Sequence, residues 1–96
     1  VLVNAQAETA FATRVARELF GAARVTGNGP PLTASEDFAF MLEKVPGCYF
    51  FVGNGASGTP GGCTVHNPGY DFNDGIIEPA ARFWRALTEA WLNPAR

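Results

Sequence analysis

The stretch Cys48-Tyr49-Phe50-Phe51-Val52 decides how the rest of the chain is read. It is a continuous apolar, aromatic run with Val45-Pro46-Gly47 before it and Gly53 after it. A run of this length between turn residues reads as a central strand covered on both faces. Covering such a strand takes helices, and the flanking sequence supplies candidates for them.

Upstream, Glu8 to Phe20 has helical spacing. Phe11, Val15 and Leu19 recur every four residues, with Ala7, Ala12, Ala16 and Phe20 widening the stripe. Arg14, Arg17 and Glu18 fall off that stripe, and Gly21 is a natural stop. Ala22 to Thr26 is compatible with a short strand, and Gly27-Asn28-Gly29-Pro30-Pro31 is a loop. A second, short helix is expected from a Ser35 N-cap, with Glu36 and Asp37 in its first turn, where carboxylates favour the helix dipole. Phe38, Met41 and Leu42 would be its buried side, and Lys44 would close it.

Downstream, Gly53 to Gly62 is a glycine-rich loop, and Thr64 to Asp74 reads as an extended segment holding His66, the single histidine of the chain. A last helix is expected to start near Glu78-Pro79, with Pro near its first position. Ala80, Phe83, Trp84, Leu87 and Trp91 keep helical spacing, which predicts both tryptophans in the core, and Asn93-Pro94 ends the element. The pattern predicts one α/β unit with helices packed on a short sheet.

Bulk properties narrow the function. Ninety-six residues, 47% of them hydrophobic and including eight Phe and two Trp, suffice for one small domain with a thin core. A net charge of −2 gives no electrostatic reason to expect nucleic acid or an anionic membrane as partner. No apolar run approaches the roughly 20 residues of a membrane helix. The opening Val1-Leu2-Val3-Asn4 lacks the basic and apolar regions of a signal peptide. It is compatible with removal of an initiator Met or with a piece of a longer polypeptide. Cys48 and Cys63 lack Cys-x-x-Cys spacing and read as reduced thiols, which makes the cytoplasm the default compartment.

Three motifs could carry chemistry. Gly53-Asn54-Gly55-Ala56-Ser57-Gly58 fits the G-x-G-x-x-G dinucleotide pattern, but Thr59-Pro60-Gly61-Gly62 cannot open the helix that a pyrophosphate requires. A mobile surface loop is the better reading. His66 ends that loop, followed by Asp71, Asn73 and Asp74, which turn formation and helix capping also explain. Glu36 and Asp37 pair two carboxylates at a helix start, where capping alone would account for them. No Ser-His-Asp set is recognisable, and one histidine leaves little for acid–base work.

Taken in order, Ala34-Ser35-Glu36-Asp37-Phe38 with Val45 to Gly53, then His66-Asn67-Pro68-Gly69-Tyr70-Asp71-Phe72-Asn73-Asp74, then the closing helix, resemble one family. It is the metal-dependent amidohydrolases that include hippurate hydrolase, N-acyl-amino-acid hydrolases and auxin-conjugate hydrolases. The likeness covers nearly the whole chain.

It implies a C-terminal segment of a zinc-peptidase-like (phosphorylase/hydrolase-like) three-layer catalytic domain, with two divalent ions (Zn, Mn, Co or Ni) and an N-acyl amino acid as substrate. His66 aligns with the family's last metal-ligand histidine, and Glu36, Asp37 and Asn67 fall near the active site. The general-base Glu, the other ligands and the inserted dimerisation domain are expected outside residues 1–96. Thr33-Ala34 stands where the family often has Met-Gly. The segment alone would be inactive. The competing expectation is a non-catalytic truncated module that folds and self-associates, with exposed apolar surface or an unpaired strand edge.

Overall fold

In a computed structural model of the chain, residues 1–29, 36–63 and 65–95 are described. The elements among them are α1 (Gln6–Phe20), α2 (Phe38–Leu42) and α3 (Ile77–Leu92), with single 3-10 turns at Ala22–Arg24, Pro60–Gly62 and Asp74–Ile76. The expected sheet does not form: there is no β-strand among the described residues. The α/β reading, and the three-layer arrangement with it, is corrected to helices and extended coil.

The hydrophobic stripe of α1 turns inward as its spacing predicts, with Ala12, Val15 and Ala16 buried and Phe11, Leu19 and Phe20 packed beside them. Gly21 stops the helix at a φ of 89°, which disfavours any residue with a Cβ, and its N–H still reaches Arg17 O at 2.9 Å. Ala22–Arg24 then winds into a 3-10 turn rather than the short strand its composition allows.

α3 lies antiparallel to α1. Phe11 near the start of α1 meets Trp91 near the end of α3, with ring centroids 5.2 Å apart. Phe20 at the end of α1 meets Phe83, on the first half of α3, at 6.1 Å. Phe83 is buried, and Ala86, Leu87 and Ala90 complete the inward stripe at three- and four-residue spacing. Trp84 and Trp91 are not core residues. They sit at the flank of that stripe, and Trp84 is 60% exposed. Pro79 is the third residue of α3, near its start as the sequence suggests.

The run 48–52 explains the missing strand. Its side chains alternate as in a strand: Cys48 and Phe50 pack on the α1–α3 core, while Tyr49 and Phe51 turn away. Phe50 lies 4.9 Å from Phe83 and 5.5 Å from Trp84 between centroids. On the opposite face Phe51 is 71% exposed, so the run is covered on one face and not on both. Beside the run lies residue Asn4, whose side chain bonds the backbone of Tyr49 in place of a ladder. A second link, from Ala5 N to Gly47 O, ties the start of α1 to the same segment.

α2 ends at Leu42, before Lys44, and Met41 is exposed rather than buried. The expected N-cap Ser35 lies outside the described residues.

Candidate functional site

The turn that carries His66 is built by asparagines. Asn67 Oδ1 accepts a hydrogen bond from Gly69 N at 2.7 Å, and Tyr70 N donates to Asn67 O at 2.9 Å. This side-chain mimic of a backbone turn folds residues 65–69 back on themselves, where an extended segment was expected. Asn73 Oδ1 in turn accepts from Gly75 N at 2.9 Å and caps the 3-10 turn that leads into α3. Capping and turn formation thus account for Asn73, one of the two readings its sequence left open.

Ahead of this turn the glycine-rich loop closes on itself. A Cβ on Gly61 would stand 2.6 Å from Asn54 O, and one on Gly62 would collide with Ala56 O, so both positions exclude larger residues. No helix opens at Gly58. A single 3-10 turn follows it at Pro60–Gly62, which removes the dinucleotide-binding reading.

His66 and Asn67 are solvent-exposed, as are Glu36 and Asp37. Glu36 Oε1 accepts from Phe38 N and Oε2 from the Tyr49 hydroxyl, both at 3.4 Å. These are long bonds, and they tie the start of α2 to the 48–52 run beside the Phe38–Tyr49 ring pair. Asp37 makes no side-chain cap. The structure therefore connects Glu36 to Tyr49 and Asn67 to Gly69.

Metal binding can be judged from the donors. A hydrolytic zinc ion takes three protein ligands and keeps one position for water. Among the described residues no group of three or more His, Cys, Asp or Glu side chains converges. His66 offers one exposed imidazole, so these residues do not make a metal centre by themselves and no hydrolytic step follows from them alone. A groove lies elsewhere, along the polar side of α1 between Thr13, Arg17 and Asn28, and none of the four candidate residues lines it.

Sequence reasoning missed two polar side chains that organise the region. Asn4 and Asn54 each bond backbone far away in the chain. Asn54 sits inside the rejected dinucleotide motif, and a lone Asn between glycines carries no periodic signal.

Both cysteines are free and half-buried. Burial, and next the Glu8 carboxylate, pushes the Cys48 thiol above its ordinary value. No described helix is long and apolar enough to cross a membrane.

Comparison with known proteins gives a consistent result. The sequence pattern of peptidase family M20/M25/M40 matches residues 1–90. A protein named hippurate hydrolase from Campylobacter jejuni (subsp. jejuni serotype O:2) is 36% identical over 92 residues, which is 96% of this chain and 23% of that protein. YhaA of Bacillus subtilis (strain 168), named as an amidohydrolase, is 32% identical over 81 residues, or 84% of this chain and 20% of that one. The chain thus spans less than a quarter of the length of these curated relatives. No solved structure gives a significant match.

Proposed function

The chain belongs to peptidase family M20/M25/M40, and from that premise we propose that it is a C-terminal catalytic-domain segment of a metal-dependent amidohydrolase that cleaves N-acyl amino acids of the hippurate kind. The observation that carries this reading is the 36% identity to a protein named hippurate hydrolase across almost the whole chain. In this reading His66 supplies one imidazole to a two-metal centre, and the remaining ligands and the general-base carboxylate come from other parts of the polypeptide. Bound divalent ions would supply Lewis-acid polarisation of the amide and an activated water. The chain's own contribution is a solvent-facing imidazole on a turn set by Asn67, with Glu36 and Asp37 at the start of α2 near the active site. The free thiols fit a cytoplasmic setting.

A second reading is favoured by one observation. The buried core among the described residues is limited to Ala12, Val15, Ala16 and Phe83, while Phe40, Met41, Phe51 and Leu92 are exposed. So much uncovered apolar surface suits a non-catalytic module that self-associates.

Release of glycine from hippurate separates the two. It is measured with residues 1–96 alone and with the complete polypeptide, both supplied with zinc or manganese, alongside sedimentation of the short chain. Turnover confined to the complete polypeptide supports the enzyme segment. Absence of turnover in both, with a dimer or larger species of the short chain, supports the module.

A further inference from the structure

Asn54 makes three hydrogen bonds that close a loop. Its Nδ2 donates to Gly61 O at 3.0 Å and to Asp71 O at 2.7 Å, and its Oδ1 accepts from Asn73 N at 2.7 Å. The carboxamide uses both of its N–H donors and an acceptor at once, a set that no carboxylate or hydroxyl reproduces. Asp71 and Asn73 lie 17 and 19 positions away, and His66 lies between Gly61 and Asp71 on the segment that these bonds close. Within that segment Asn67 fixes the turn next to His66. Close approach of Gly61 to Asn54 O keeps the first strut short. His66 itself is exposed, so the position of its imidazole is set by how this loop is closed rather than by packing around the ring.

We propose that Asn54 is the positioning residue for His66: it clamps the base of the histidine's loop and so fixes where the imidazole is presented. The inference rests on the reading of His66 as a ligand of the amidohydrolase centre. Substituting Asn54 removes up to three bonds from the base of the loop without touching the α1–α3 pair.

The test compares Asn54→Ala, Asn54→Asp and His66→Ala in the complete polypeptide. Asn54→Asp keeps the size and the acceptor but sets a carboxylate against two carbonyl oxygens, and it serves if the alanine variant fails to fold. The first readout is hydrogen–deuterium exchange of peptides spanning residues 55–72 against peptides of α1 and α3. The second is retained zinc or manganese, and the third is kcat and KM for hippurate.

The expected result is faster exchange in 55–72 alone. With it come metal affinity lower by about 10- to 100-fold, the range for residues that orient a ligand, and a fall in kcat at steady KM. Unchanged exchange in 55–72 overturns the clamp itself. Faster exchange in the Asn54 variants, with full metal and turnover in His66→Ala, overturns the reading of His66 as a ligand on which the proposal stands.

Discussion

Asn4 and Tyr49 exchange a pair of hydrogen bonds in which a side chain stands in for a strand. Tyr49 N donates to Asn4 Oδ1 at 2.7 Å, and Asn4 Nδ2 donates to Tyr49 O at 3.0 Å. The carboxamide presents one acceptor and one donor, as a peptide unit does, and so satisfies the backbone of a run that has no ladder. Asn4→Ala is expected to lose about 1–2 kcal/mol, two modest net hydrogen bonds. Urea unfolding checks this, and an unchanged midpoint would show that the exposed pair contributes nothing.

The alternation along 48–52 makes opposite predictions for neighbouring residues. Phe50 is half-buried against Phe83 and Trp84, so Phe50→Ala should cost about 2–3 kcal/mol, somewhat below a fully buried phenylalanine. Phe51 faces solvent, and Phe51→Ser should stay within about 0.5 kcal/mol. Thermal melts of both variants distinguish this one-sided arrangement from a run covered on both faces, which would make the two losses similar.

That contrast also shows what the sequence could tell. The period of α1 located its buried stripe, and Gly21 its end, because both depend on local spacing and on a backbone angle. The extended run was legible as extended, but a sheet needs a neighbouring strand, and no composition rule reveals that a single Asn side chain will take its place. Trp84 and Trp91 kept helical spacing yet fell at the edge of the stripe, since α3 packs through the smaller Ala86 and Ala90. For the site, motif order identified the family, and His66 was named from it. The turn around His66 depends on Asn67, whose bonds to Gly69 and Tyr70 are local, and on Asn54, whose bonds to Asp71 and Asn73 span distances that a local reading does not cover.

Cys48 predicts a pH dependence. Its thiol is raised in the folded chain by burial and by Glu8, so the folded state holds its proton to higher pH than the unfolded state. Below the ordinary thiol pKa of about 8.5 both states are protonated and nothing changes. Above it the unfolded chain ionises first, and stability falls until the pH passes the folded value. Melting temperatures from neutral to alkaline pH should therefore drop more steeply for the native chain than for Cys48→Ala. Parallel curves would contradict the shift.

Gly62→Ala tests the closed loop from the other side. The added Cβ would meet Ala56 O, backbone against backbone, so the loop must open. Since the loop lies outside the α1–α3 core, the variant should keep the native helical circular dichroism and melt cooperatively. In the complete polypeptide it should lose hippurate turnover. Full activity would show that loop closure is not needed.

The most direct measurement is the metal content of the complete polypeptide, native and His66→Ala, by mass spectrometry after dialysis against trace zinc and manganese. If His66 is a ligand, the variant should keep its fold, hold substoichiometric metal and hydrolyse hippurate about 100-fold or more slowly, as expected when one of few protein ligands is lost. Native metal content and native turnover in His66→Ala would contradict the assignment of this segment's histidine to the metal centre.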